Sequence, residues 1–501
     1  MWTRSSVVSS EGSNGCSAKV VGSIHPRTPS GMRAAGEYSE HMETIPPHVF
    51  VIFGATGDLA RRKLFPGLFK LYRAGLLPEF AVIGSGRHSP GTDEEFRAKV
   101  AKDPDDPRWA EFAEHITFQT SSADDGEELA AAVEARRAEL GADSRTLLYL
   151  SVPPGTMRPM VDMLGKTGLS RDARLVLEKP FGSDLETARE LNSALHEVFD
   201  EDSLFRIDHF LGKEAVQNIL VFRFANGLFE PIWRQGHIAY VQIDVPESIG
   251  IEGRASFMES TGTFRDMVTT HLCQLLGFLA LEPPTEISAE ALRAEKLKLY
   301  RSLRPLDPEK VVFGQYAGYR DEEGVAPDSE VETFVALEAR VDNWRWQGVP
   351  FYLRTGKAMA QSRRTVTVGF TEPPLAMFPN RVDCAPSELV FELTEEPRVA
   401  LGIRAKKPGP GLEVGSARLD LDFEEAFQGA EPLEAYEKLL LDVLRGDQTL
   451  FSGNAEIERL WEVCEPVLEN PPPVQVYDRG SWGPKAALAV PGEAGWRAAE
   501  Q

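Results

Sequence analysis

The sequence predicts two domains of different class: an α/β domain built on a doubly wound parallel sheet, then a larger α+β domain with a mostly antiparallel sheet. Three observations point there. Residues 48–53 (His-Val-Phe-Val-Ile-Phe) form a near-continuous apolar run ending at Gly54, the pattern of a strand covered on both faces. Strand-like and helical stretches then alternate with short links to about residue 205. Beyond 206 the rhythm changes to clustered strands interleaved with a few long helices.

After the first strand, Asp58 to about Gly75 carries Leu59, Leu64, Leu68 and Leu71 near helical spacing, and Pro78 stops the helix. Ala81–Gly84, Leu147–Val152 and Arg174–Leu177 read as further strands, with helices over Glu127–Leu140 and Thr156–Leu164 between them. In the second part, strand-like segments fall at 238–245, 331–341, 349–354, 365–370 and 388–394, and helices at 212–224, 258–280 and 430–444. The chain therefore divides into an N-terminal extension expected to be disordered (1–45), a first domain (46–205), a second (206–480) and a loose tail (481–501). Pro471-Pro472-Pro473 marks a stiff segment shortly before that tail.

Composition excludes several classes. Of 501 residues, 42% are apolar and 26% charged, which is ordinary for a globular chain. Lys and Arg number 54 against 77 Asp and Glu, a formal charge of −23. That field opposes nonspecific binding to nucleic acid or anionic lipid, so an anionic ligand needs a local basic cluster. Cys16, Cys273, Cys384 and Cys464 show no metal-ligand spacing, so no metal site is expected, and the usage fits a reducing, cytoplasmic setting. No run approaches the ~18 apolar residues of a membrane span.

Gly54-Ala55-Thr56-Gly57-Asp58-Leu59-Ala60 lies where a buried strand becomes a helix. Its G-x-x-G-x-x-A form is a variant of the Rossmann dinucleotide fingerprint. Gly54 would permit the tight turn, Gly57 would let backbone approach a pyrophosphate, and the helix N-terminus would face that anion. The plainer reading is a turn and nothing more. At the end of the second strand stands Gly84-Ser85-Gly86-Arg87, with no acid to hold a ribose 2′-hydroxyl. Arg87 can fork two hydrogen bonds onto a 2′-phosphate, which favours NADP while leaving NAD able to bind; the alternative is a solvated surface arginine.

Nine histidines occur, and two stand in polar motifs. His209 belongs to the charged run Arg206-Ile207-Asp208-His209-Phe210-Leu211-Gly212-Lys213-Glu214 at the expected domain seam. If that run is helical, His209 and Lys213 share a face suited to gripping a phosphate; a solvated helix face has the same spacing. His271 lies in an otherwise largely apolar helix. A neutral imidazole is the natural general base for a hydroxyl proton, and Asp208 is the best candidate to fix its tautomer. A hydrogen-bonded core histidine would look the same. Glu178-Lys179-Pro180 and Arg354-Thr355-Gly356-Lys357 add polarity at strand ends, where ligands of open α/β sheets collect.

Together these segments resemble the glucose-6-phosphate dehydrogenase family across roughly residues 46–480. Four motifs agree in order: GATGDLARRK (54–63), EKPFG (178–182), RIDHFLGKE (206–214) and RTGK (354–357). The resemblance implies a Rossmann-like domain joined to a large α+β domain, assembled as a homodimer or homotetramer. It implies oxidation of D-glucose 6-phosphate at C1 to 6-phospho-D-glucono-1,5-lactone with hydride transfer to NADP+, the first step of the oxidative pentose phosphate pathway. Residue by residue it makes His271 the general base and Asp208 its orienting carboxylate. His209, Lys213, Glu247, Asp266 and Lys357 become sugar or phosphate contacts. Gly54, Ala55, Thr56, Gly57, Asp58, Leu59, Lys63 and Arg87 fall on the cofactor side, and Lys179 reaches both ligands.

The chain departs from the family pattern at Phe210, where Tyr is common, and at Thr269-Thr270, where Gln-Asn is usual. A basic residue usually stands five after the lysine matching Lys357; here that position is Ser362, followed by Arg363 and Arg364. Either a neighbouring arginine reaches the substrate or this contact is missing. Two other readings compete: a sugar oxidoreductase of the glucose–fructose oxidoreductase type, and a catalytically weak regulatory relative.

Overall fold

The computed structural model describes residues 45–378, 384–394, 397–427 and 432–497. The N-terminal extension, with Cys16, His25, His41 and Met42, lies outside the described residues except for residue 45.

The first sheet has six parallel strands: β1 (His48–Phe53), β2 (Phe80–Gly86), β3 (Ile116–Thr120), β4 (Arg145–Leu150), β5 (Ala173–Leu177) and β6 (Leu204–Arg206). Their order is β3-β2-β1-β4-β5-β6, doubly wound about β1. Val49, Val51 and Phe53 enter one core while Phe50 and Ile52 enter another, so both faces are covered and the apolar run of β1 is explained. Two strands escape sequence reading. β3 is only partly buried and polar along much of its length, and β6 has three residues. The expected boundary at 205/206 therefore falls inside β6, and Glu178-Lys179-Pro180 follows the next-to-last strand of this sheet, not the last.

The second sheet has nine strands: β7 (Ile238–Pro246), β8 (Val311–Tyr316), β9 (Phe334–Arg340), β10 (Pro350–Gly356), β11 (Thr365–Phe370), β12 (Glu388–Glu392), β13 (Arg398–Lys406), β14 (Val414–Asp422) and β15 (Val474–Tyr477). Their order is β14-β13-β12-β11-β7-β10-β9-β8-β15. Most pairs are antiparallel, but β10 runs parallel to β7, and β15 to β8. Long connections make this possible: helices and two strands separate β7 from β10, as a parallel crossover requires.

The domains are not consecutive in space. Helix Ala435–Arg445 packs on Phe65–Arg73, and Asn454–Glu469 packs on Leu185–His196, both of the first domain. Phe205, Ile207, Leu272, Leu276 and Leu439 share one core, so apolar packing is continuous across the seam that carries the charged run.

The tail expected to be loose from 481 is packed through 497. Trp482 and Trp496 flank the buried Arg354 guanidinium at 5.0 and 4.3 Å. The Trp496 indole donates to the Ala487 carbonyl at 2.8 Å, and Arg497 pairs with Glu388 at 2.5 Å. Two tryptophans closing over a cation already paired with Asp244 outweigh the polar composition that made this stretch read as solvated.

Candidate active site

The glycine turn follows from β1. Gly54 has φ +70°, and a Cβ there would run into the Ser151 carbonyl after β4. Gly57 N–H donates to the Gly54 carbonyl at 2.8 Å, and a helical run starts at Asp58. Its next turn is π-helical (Ala60–Leu64) and continues into Phe65–Arg73. Ala55 is buried against the core and Leu59 partly so, which leaves Thr56, Asp58 and the turn's backbone facing outward. The turn sits between β1 and β4, where the strand order reverses and ligands of such sheets bind. Arg87 is exposed just beyond β2. This cradle, closed to any side chain at Gly54 and free of acid at the β2 end, fits a dinucleotide. Two residues expected on the cofactor side are engaged with protein: Asp58 pairs with Arg62 at 3.3 Å, and Lys63 with Glu434 at 3.2 Å.

Asp208 and His209 follow β6, and the segment from 207 to 213 is a tight series of turns. The helical face anticipated for His209 and Lys213 is therefore absent; helix Glu214–Phe224 begins only after Lys213, its N-cap. The turns are tied down by Asp208, whose Oδ1 accepts from Phe210 N–H at 2.9 Å. His271 comes from the other domain. Gly262, with φ +70°, turns the chain between Ala255–Thr263 and the π-helical Phe264–Leu272, and the buried Glu332 carboxylate caps the new start at Phe264 N–H, 2.8 Å.

These elements bring the imidazole and the carboxylate together: His271 Nδ1 lies 2.6 Å from Asp208 Oδ1. Burial alone would raise the Asp208 carboxyl, but the facing His271, by charge and hydrogen bond, holds it well below the carboxylate range. Burial pushes His271 below its ordinary value of 6.5 despite Asp208, so the ring is neutral near pH 7. Its Nε2 is buried with no hydrogen-bond partner among the described residues. Phe210 stacks on the imidazole at 4.3 Å, and Lys213 Nζ sits 4.1 Å above the Phe210 ring. His209 meets His271 edge-on at 4.7 Å and is pushed well below its ordinary value, by burial first, then by the adjacent His271 and by the Lys179 and Lys213 ammoniums.

The other residues expected on the substrate side join the same cluster. Lys179, which precedes a cis proline, donates to Asp266 Oδ1 at 2.5 Å and to the Asp266 carbonyl at 3.0 Å. Burial would raise Asp266, but Lys179, and more weakly His271 and Lys357, keep it ionised. Lys357, just after β10, pairs with Glu247, just after the adjacent β7. Arg354 of the same motif is buried on Asp244 and stays out of the site.

At the departure from the family pattern, Ser362 Oγ accepts from Ser248 N–H at 2.8 Å. Arg363 turns to Glu392 at 2.5 Å, whereas Arg364 lies 3.7 Å from Glu247, beside Lys357. Asp208, His209 and His271 also offer one ligand atom each within 4.8 Å of one another, a closeness that the dyad's hydrogen bond explains.

Sequence reasoning missed Tyr436 and Tyr149. Tyr436 stacks parallel to His209 at 6.1 Å and hydrogen-bonds Glu178, and the Tyr149 hydroxyl donates to Glu178 at 2.6 Å. Burial raises Glu178 while both hydroxyls pull it down. No local motif marks either tyrosine; only the packing of 435–445 on the first domain brings Tyr436 here.

A dinucleotide-type turn on a doubly wound sheet, together with a buried His–Asp pair that has Lys179 and Lys213 near it, defines a nicotinamide-dependent oxidoreductase. Residues 51–218 match the model "Glucose-6-phosphate dehydrogenase, NAD binding domain", and residues 220–497 match "Glucose-6-phosphate dehydrogenase, C-terminal domain". The chain belongs to the glucose-6-phosphate dehydrogenase family. It is 40% identical over 482 residues to glucose-6-phosphate 1-dehydrogenase of Treponema pallidum, covering 89% of this chain and 93% of that relative. Among solved structures it is similar to glucose-6-phosphate 1-dehydrogenase from Mycobacterium avium (TM-score 0.82, 37% identity, 90% of this chain and 98% of that one). It is also similar to a glucose-6-phosphate dehydrogenase in complex with its substrate glucose 6-phosphate (TM-score 0.84, 34% identity, 90% and 98%). Among the described residues, no helix is long and apolar enough to cross a membrane.

Proposed function

We propose that this chain oxidises D-glucose 6-phosphate at C1 to 6-phospho-D-glucono-1,5-lactone with NADP+, as the first step of the oxidative pentose phosphate pathway in the cytoplasm. The observation that carries this reading is the bare, neutral Nε2 of His271, buried on Asp208 beside His209 and close to the Lys179–Asp266 pair.

In this reading His271 Nε2 takes the C1 hydroxyl proton as the C1–H bond breaks, and C1 becomes the lactone carbonyl. The nicotinamide, when bound, supplies the hydride acceptor. Asp208 holds the Nδ1–H tautomer and stabilises the imidazolium that forms. His209 and Lys213 hold the phosphate. Glu247, Asp266 and Lys357 take sugar hydroxyls, with Lys179 between sugar and cofactor; the Lys179–Asp266 and Lys357–Glu247 pairs preorganise those donors and acceptors. Gly54, Gly57 and the helix start at Asp58 would receive the pyrophosphate, and Arg87 the 2′-phosphate that favours NADP over NAD. The chain would act as a homodimer or homotetramer; exposed Leu419 and Leu421 on the edge strand β14 offer apolar surface for assembly.

The test is a steady-state comparison of glucose 6-phosphate with free glucose, each with NADP+ and NAD+. Turnover is expected with the phosphate ester and NADP+. Equal kcat/KM for both sugars would refute the phosphate-binding role of His209 and Lys213.

A further inference from the structure

Asp208 has a second carboxylate oxygen with no assigned task. Oδ1 accepts from both His271 and Phe210 N–H. Oδ2 is buried with no partner among the described residues. A buried carboxylate oxygen left unpaired is costly and rare. Asp208 also forms part of the wall of a small cavity of ≈ 20 Å³, closed on its apolar side by Ile207, Leu460 and Trp461. Lys179, Thr269, Thr270, Gln274 and Ser452 supply its polar wall. A single water needs roughly 10–15 Å³ and two to four polar partners, and this cavity meets both conditions.

The neighbours explain why the space exists and what could fill it. Thr269 and Thr270 turn their hydroxyls back to the carbonyls of Arg265 and Asp266 at 2.9 and 2.7 Å, so neither side chain reaches across to Asp208. Their oxygens keep lone pairs able to accept. Gln274, one turn after His271, is fixed from behind. Its Oε1 accepts from the Tyr300 hydroxyl at 3.3 Å, and its amide lies beside the buried Glu456, which is paired with Lys296 at 2.7 Å. An amide has two N–H groups, so one remains for the cavity.

We propose that this cavity is a water site: one buried water donates to Asp208 Oδ2, is held by Gln274 with the Thr270 hydroxyl, and makes Gln274 a positioning residue for the dyad. The water satisfies the carboxylate's second oxygen and keeps its plane aimed at His271 Nδ1. Gln274 thereby links the dyad to the buried Tyr300 hydroxyl in the core of the second domain. This role rests on reading His271 and Asp208 as the catalytic pair, whereas occupancy of the site does not.

Two measurements test it. A high-resolution crystal structure of the unsubstituted protein is expected to show one water within hydrogen-bond distance of Asp208 Oδ2 and the Gln274 amide. An empty cavity, or a protein atom bonded to Oδ2, overturns the proposal. Kinetics of Gln274→Met, which keeps length and removes the amide, are expected to show kcat lower by about three- to tenfold, the worth of one hydrogen bond, with KM for the sugar phosphate changed less than about twofold. The acid limb of kcat/KM should move to higher pH, because Asp208 charge no longer shared with water makes the imidazole more basic. The other charged groups facing the dyad, Glu178, Lys179, His209, Lys213 and Asp266, are untouched by this substitution. A folded Gln274→Met with unchanged kcat, or with an unmoved acid limb, overturns the positioning role. If His271→Asn stays active, the catalytic reading fails, yet the water would still be found.

Discussion

Replacing Asp208 with Asn separates two things the carboxylate does: it fixes the tautomer of His271, and it stabilises the positive charge that forms there. Two donors converge on Oδ1, His271 Nδ1–H at 2.6 Å and Phe210 N–H at 2.9 Å. An asparagine must therefore place its carbonyl oxygen, not its amide nitrogen, at that position. The tautomer with a bare Nε2 survives, and only the charge is lost. A carboxylate about 4 Å from an imidazolium centre is worth about 4 kcal/mol at an effective dielectric of about 20. The neutral hydrogen bond that Asn keeps returns about 1 kcal/mol. The net of about 3 kcal/mol corresponds to a fall of about 10²-fold in kcat. The assay is initial-rate appearance of the reduced nicotinamide with glucose 6-phosphate, alongside circular dichroism to confirm folding. A loss below about tenfold would mean that no charge develops on His271. A loss as complete as removal of the imidazole would mean that the amide has flipped and Phe210 N–H does not set the orientation.

Other outcomes follow from the same geometry. Because burial lowers His271 from 6.5 and only the neutral ring can accept a proton, kcat/KM should fall as pH drops below about 6.5 and stay level just above it; an acid limb centred above that value contradicts the environment described. Arg87→Ala should raise KM for NADP+ by about 10- to 100-fold, the worth of charge-assisted bonds to one phosphate, and leave NAD+ kinetics within about twofold; equal effects on both cofactors would remove Arg87 from the 2′-phosphate. Trp496→Ala removes a buried aromatic from the Arg354 pair and should cost about 3–5 kcal/mol, read as a lower midpoint of thermal unfolding; an unchanged midpoint would mean the tail adds nothing to the fold.

What was legible in the sequence followed local rules. β1, β11 and helix Glu127–Leu140 fall at the segments where the sequence reads as strand or helix. The glycine turn and the 206–214 run carry their spacing in plain view, and the substrate-side residues named from the motifs meet in one cluster. Local rules also misled. The run at 206–213 has helical spacing, but Asp208 captures Phe210 N–H and holds it in turns. β6 is too short to show a period. The tail after 480 looks solvated by composition, yet it buries Trp496 because Arg354, more than a hundred residues earlier, offers it a cation. Tyr436 and Gln274 could not be singled out, since their meaning lies in partners distant in the chain. Ser362 and its neighbours posed a choice, and the fold places Arg364, not Arg363, beside the Lys357–Glu247 pair.

The most direct measurement is the turnover of folded His271→Asn with glucose 6-phosphate and NADP+. Loss of a general base predicts a fall in kcat of about 10³-fold or more, with sugar-phosphate binding retained because the proposed phosphate contacts His209 and Lys213 remain. A variant turning over within tenfold of the parent chain would show that the proton leaves C1–OH by another route, and the dyad would lose its place at the centre of the chemistry.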